Sequence, residues 1–142
     1  MVIAKMDFHL LGRQDDTGVC MSRFIKSHGP ALFWAILIFI LSSIPSLKTP
    51  DVGLSWQDKG AHVLEFGIFG FFLQRSFRTF FNEGIRVHVF VLIVGVLYGG
   101  LDELHQLFVE GRQASVGDFL ADSIGIFLSQ VFCWIGKRNY YF

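Results

Sequence analysis

Charge is what this chain has little of. Only 17% of its 142 residues are Asp, Glu, Lys or Arg, where a soluble domain carries about a quarter. The 12 basic residues balance the 12 acidic ones, so no basic excess exists to attract nucleic acid, and none is expected as a partner. Cysteine is nearly absent too: Cys20 and Cys133 are too few and too far apart for a disulfide framework. No HExxH, CxxC, glycine-rich phosphate loop or Ser-His-Asp elbow is present, so the sequence assigns no metal site and names no cofactor. What fills the space is apolar. Hydrophobic residues make up 52% of the chain, aromatics 16%, and 17 residues are Phe; the mean hydropathy is +0.49. The length suits one domain of about 100–200 residues. A chain this apolar reads as a small integral membrane protein rather than a water-soluble core.

Crossing the hydrocarbon takes about 20 residues of helix, because lipid offers backbone groups no other partner. Between Lys26 and Lys48 lie 21 residues without a formal charge, including ALFWAILIFIL at Ala31 to Leu41. A signal peptide would have a shorter apolar region and a small-residue cleavage site, neither of which is seen. Three more apolar segments follow, each carrying charges: Gly60 to Phe77, Val87 to Phe108 and Gly117 to Gly136. Short linkers and the lack of a polar outer face favour an all-α bundle of four transmembrane helices. The expected division is a polar N-terminal tail over 1–27, the four-helix domain over 28–136 and a short C-terminal tail over 137–142. Residues 1–20 are polar and patternless, and Met21 would make an equally good start before helix one.

Lys and Arg set orientation. Lys5, Arg13, Arg23, Lys26, Arg75, Arg78, Arg86, Lys137 and Arg138, nine of the twelve, fall on one side of such a bundle, and Lys48, Lys59 and Arg112 on the other. Both termini are therefore expected in the cytoplasm, with the two cysteines on or near the reducing side as free thiols.

Ionisable groups inside a membrane cost roughly 2.5–3.5 kcal/mol each on insertion scales and ask for a reason. Helical spacing puts Asp58, His62 and Glu65 on one face of the second helix. Gly95, Gly99, Asp102 and Gln106 share a stripe on the third, flanked by Glu103 and His105, and Asp118, Asp122, Gly125 and Ser129 share one on the fourth. At about 1.5 Å per residue Glu65 lies roughly 10 Å deep, and the three stripes arrive at one level near the outer face. With Arg112 in the loop Val109 to Val116 they outline a polar, acidic pocket. Gly95 and Gly99 read as close-packing positions, Trp34, Trp56 and Trp134 as interfacial aromatics, and GIFGFFL at Gly67 to Leu73 as lipid-facing bulk.

Three blocks then carry a resemblance. DKGAHVLEF at Asp58 to Phe66, DELHQLFVEGR at Asp102 to Arg112 and SVGDFLADSIG at Ser115 to Gly125 look like the signature blocks of the VanZ-like membrane proteins, and LSSIPSL at Leu41 to Leu47 resembles the end of that family's first helix. Its characteristic residues fall here on Asp58, Lys59, His62, Asp102, Glu103, Gln106, Arg112, Asp118 and Gly125. One position departs: the family commonly has Asn where this chain has Asp122, and an extra acid can hold a cation or proton that an amide does not. The resemblance implies a multi-pass protein of the cell envelope, with a name-giving member linked to glycopeptide (teicoplanin) resistance.

Two classes of function fit these residues. In the first, the pocket acts on an envelope lipid or lipid-linked, cell-wall-related headgroup. Asp58, His62, Asp102, Gln106 and Asp118 are then the candidate catalytic residues, with general acid and base work falling to Asp58 and His62. Lys59, Glu103, Arg112 and Asp122 are the candidate binding residues, Arg112 suiting an anionic group. Asp58, Asp102 and Asp118 are also oxygen donors of the kind hard cations use, with His62 widening the choice to Zn or Mn. In the second class the protein is non-catalytic, and its polar residues bind a ligand or only fix helix packing.

Overall fold

The computed structural model describes residues 16–45, 57–81 and 84–139, the side chains of 16–20 and 137–139 excepted. Its regular structure among the described residues is α-helix throughout: α1 Asp16–Ser42, α2 Gln57–Phe77, α3 Ile85–Gln106 and α4 Val116–Asn139. The last three match the expected segments closely. α1 reaches further back than the apolar run, starting at Asp16 inside the stretch read as a polar tail.

Three of the helices are long and apolar enough to cross a membrane: α1 from Met21 to Ser42, α3, and α4 from Val116 to Gly136. α2 has 21 residues but is not among them, because Asp58, Lys59, Glu65 and Arg75 interrupt its apolar sequence. The outward surface supports the membrane reading. Leu32, Phe33, Leu64, Leu97, Phe108 and Phe132 are all more than 60% exposed, a belt that water would not tolerate on this scale.

Side-chain registers define the topology. Trp34 meets Glu65 and His28 meets Ser76, so α1 and α2 run antiparallel. Lys59 meets Asp118 and His62 meets Asp122, so α2 and α4 run parallel. Gly99 faces Asp122 and Gly95 faces Ile126, so α3 opposes α4. The bundle goes up, down, up, down, and the start of α1 lies at the same end as the finish of α4.

Glycines set how close the helices come. A Cβ on Gly125 would stand 2.4 Å from the Val63 carbonyl oxygen, and one on Gly95 would stand 2.6 Å from Ile126 Cδ1, so α4 touches both α2 and α3 at distances only glycine permits. Below this seam Phe66, Phe69, Val87, Val91, Ile38 and Ile126 form the core. Two expectations change here. Within GIFGFFL only Phe71 is largely exposed; Phe69 and Leu73 are buried, because they follow Phe66 at three- and four-residue steps on its inward face. Trp34 is not an interfacial anchor: its indole Nε1 donates to the Glu65 carbonyl at 2.9 Å and its ring lies 5.9 Å from that of Phe72. Trp56 lies outside the described residues, and Trp134 meets His88 edge-on, with ring centroids 5.3 Å apart.

Pro30 lies inside α1. Its missing N–H frees the carbonyl of Lys26, four residues earlier, and that oxygen accepts a bond from Arg75 Nη2 at 3.1 Å. A defect in one helix is thus closed by the last turn of its neighbour.

Candidate functional site

The acidic end of the bundle is built where α1 stops, α2 starts, α3 stops and α4 starts. Ser115 caps α4. Its Oγ accepts from the backbone N–H of Gly117 at 3.1 Å, one of the first-turn donors that a helix leaves unpaired, and at 3.4 Å from that of Asp118, which also donates to the Ser115 carbonyl at 3.0 Å. In the usual reciprocal box the acid three residues on would return a bond to the cap's own N–H. Here Glu103 of α3 takes that role, its Oε2 accepting from Ser115 N at 2.7 Å. Asp118 is thereby released to pair with Lys59 of α2. One turn further along, Asp122 Oδ1 meets His62 Nδ1 at 2.9 Å.

Of the nine candidate residues, Asp58, His62, Gln106 and Arg112 line one cavity of about 180 Å³, together with Glu65, Ala61, Leu41 and Ser42. Arg112 reaches it because Gly111 turns the chain at φ 75°, a conformation glycine adopts without strain. Its Nη2 donates to the Leu41 carbonyl at 2.8 Å, tying the loop to the end of α1, while its Nε is buried without a partner. The other five, Lys59, Asp102, Glu103, Asp118 and Asp122, stand outside the lining. Asp102 Oδ2 accepts from Gln106 Nε2 at 2.9 Å and so holds that wall residue in place. Lys59, Glu103, Asp118 and Asp122 occupy the paired layer just described. The arrangement is a two-tier one: a polar chamber, and against it a layer of partnered charges.

Two residue triplets bring ligand atoms within 4.8 Å of one another, as a bound metal ion requires: Asp58, His62 and Asp118, and His62, Glu103 and Asp122. The first is scattered among the sequence's own candidates. The second combines a stripe residue from each of α2 and α4 with Glu103, which spacing put beside the α3 stripe; burial of both Asp102 and Glu103 shows that the inward face of α3 is wider there.

Sequence reasoning passed over several polar residues. Glu65, noted as the deepest acid of α2 but left out of the candidate set, lines the chamber. Ser43 and His105 join through Ser43 Oγ and His105 Nε2 at 2.9 Å, linking α1 to α3. Nearer the other end, buried His88 meets Gln130 Oε1 at 3.0 Å, and Gln130 Nε2 donates to the Gly70 carbonyl at 3.3 Å. His88 and Gln130 sit seven residues from Gly95 and eight from Asp122, so extending the α3 and α4 stripes by two turns would have found them.

The VanZ/LLP1 family model matches residues 21–137, which takes in all four helices and both tiers of the polar end. The chain belongs to the VanZ/LLP1 family. No curated protein and no solved structure matches it. The VanZ/LLP1 match runs through the three sequence blocks that resemble the family, and those blocks are the ones that meet in space: DKGAHVLEF opens α2, DELHQLFVEGR ends α3 and forms the loop, and SVGDFLADSIG opens α4. In this VanZ-family protein the residues shared between blocks are therefore neighbours at one end of the bundle, whatever chemistry they perform.

Proposed function

We propose that this protein spans the cell membrane four times with both termini in the cytoplasm, and that its polar chamber binds the headgroup of an envelope lipid or lipid-linked wall precursor and acts on it. The positions of nine of the twelve basic residues support the orientation. α2 crosses despite its charges because Glu65 is turned into the chamber, while Asp58, Lys59 and Arg75 lie in its first and last turns, where long polar side chains reach the membrane surface. The observation that carries the reading is the chamber itself, walled by Asp58, His62, Glu65, Gln106 and Arg112 in a protein otherwise wrapped in exposed hydrophobic side chains. At about 180 Å³ it is smaller than the roughly 300–1,000 Å³ of pockets that enclose drug-sized ligands. That suits a headgroup fragment whose tail stays in the bilayer. Arg112 holds the anionic group, its Nε being the unoccupied donor, and Asp58 with His62 supplies acid and base.

Lipid profiling of cells lacking the protein tests this. Restoring the wild-type chain should restore the profile, and Asp58→Asn, a change at the chamber wall, should insert normally but leave an unprocessed envelope lipid accumulated. Identical lipid profiles with and without the protein would remove the catalytic reading. A second reading, a non-catalytic protein whose polar residues bind a ligand or fix helix register, is favoured by the paired layer: Lys59 with Asp118, His62 with Asp122 and Gln106 with Asp102. It predicts that Asp58→Asn behaves as wild type.

A further inference from the structure

His62, Glu103 and Asp122 come from three different helices, yet each offers a ligand atom within 4.8 Å of the other two. The two acids are deeply buried, Asp122 at 0% and Glu103 at 7% exposure. Each has one oxygen satisfied, Asp122 Oδ1 by His62 and Glu103 Oε2 by the Ser115 N–H. The remaining oxygens, Asp122 Oδ2 and Glu103 Oε1, are buried with no hydrogen-bond partner. One such atom is a costly exception in a folded protein, and here two occur on adjacent carboxylates.

The surroundings offer no protein group to satisfy them. Among the described residues Lys59 is committed to Asp118, and Arg112 Nε, itself without a partner, donates to neither oxygen. Backbone packing holds the pair together instead: a Cβ on Gly99 would lie 3.3 Å from Asp122 Oδ2 and 3.1 Å from Asp122 Cβ. The bare glycine lets α3 press against Asp122, and Glu103 follows one turn later on that face. The neighbouring triplet Asp58, His62 and Asp118 lacks this feature, since neither of its acids carries a buried unpartnered oxygen.

We infer that His62, Glu103 and Asp122 form a binding site for a divalent transition-metal cation, Zn²⁺ or Mn²⁺. One imidazole nitrogen with two carboxylate oxygens is a mixed donor set that suits these ions better than Mg²⁺ or Ca²⁺, which favour oxygen alone. Three protein ligands leave a coordination position open, and His62 is the ligand that also lines the chamber. The inference does not rest on the headgroup reading, and its test contains no lipid substrate.

The experiment is calorimetric titration of the full chain, purified in detergent and stripped with chelator, with Zn²⁺, Mn²⁺ and Mg²⁺ in separate runs. One ion should bind per chain. Asp122→Asn keeps the side chain's shape and a hydrogen bond to His62 but removes the anionic ligand, and should weaken binding at least 10–100-fold, the loss already caused by removing groups one shell further out. Glu103→Gln should do the same, while Arg75→Ala, at the opposite end of the bundle, should leave the affinity unchanged. No saturable binding by the wild-type chain overturns the inference, as do Asp122→Asn and Glu103→Gln variants that bind as tightly as wild type, or Mg²⁺ binding as tightly as Zn²⁺. The wild-type titration decides the matter even where a variant fails to fold.

Discussion

Gly125 and Gly67 face each other across the α2–α4 seam, and the structure predicts opposite consequences of adding one methyl to each. On Gly67 a Cβ would stand 3.6 Å from the Gly125 carbonyl oxygen, an ordinary contact. On Gly125 it would stand 2.4 Å from the Val63 carbonyl oxygen, 2.9 Å from Gly67 N and 3.1 Å from Val63 C. All three are backbone atoms that no rotamer change can move. Carbon and carbonyl oxygen settle at about 3.3 Å or more, so Gly125→Ala must push the helices apart by roughly 1 Å. Overpacking of this kind costs about 1–3 kcal/mol. The damage extends beyond the seam, because a 1 Å opening also stretches the 2.9 Å His62–Asp122 contact past hydrogen-bonding range. Unfolding of the purified protein in mixed detergent and SDS measures this directly. Gly125→Ala should lower the folded-to-unfolded ratio by roughly 5–150-fold, the equivalent of that energy, and Gly67→Ala should fall within about 0.5 kcal/mol of wild type. Equal stability of the two variants would refute the close-approach argument.

Three further predictions use the same unfolding assay. His62→Leu strands the Asp122 carboxylate, which is 0% exposed, and should cost about 3–5 kcal/mol; Lys59→Met removes a side chain that is 43% exposed and should cost no more than about 1 kcal/mol. Arg75→Ala should destabilise the wild-type chain by about 1 kcal/mol, and less in a Pro30→Ala background, where residue 30 regains an N–H for the Lys26 carbonyl; additive effects in that double-mutant cycle would disprove the repair. Ser115→Ala removes the cap of α4 and should cost about 1 kcal/mol, with hydrogen exchange rising at Gly117 and not at Asp118, which keeps its bond to the residue-115 carbonyl, or at the far end of the helix.

The helices were legible because their signals are local. Apolar runs located the helices, and three- and four-residue spacing put Gly95, Gly99, Asp102 and Gln106 on what proves to be the buried face of α3. The convergence of three polar stripes with Arg112 followed from alternating helix direction and depth. What stayed hidden depends on pairing between helices. Nothing in the spacing of Asp118 and Asp122 tells which meets Lys59 and which His62; that register is set by the Gly125 contact. Phe69 and Trp34 were misjudged because Phe and Trp suit lipid, interface and protein interior alike, and only the angle at which α2 meets α1 and α3 separates them. The role of Glu103 as the acceptor for a cap on another helix has no sequence signature.

On the proposed function, the polar end of this bundle receives a ligand as well as fixing helix register. Native mass spectrometry of the protein released from its own membranes tests it most directly. The wild-type chain should carry a bound anionic lipid or lipid-linked headgroup, and Arg112→Ala, folded to the same extent, should carry none. A wild-type chain that emerges bare, or an Arg112→Ala chain that retains the same lipid, would contradict it.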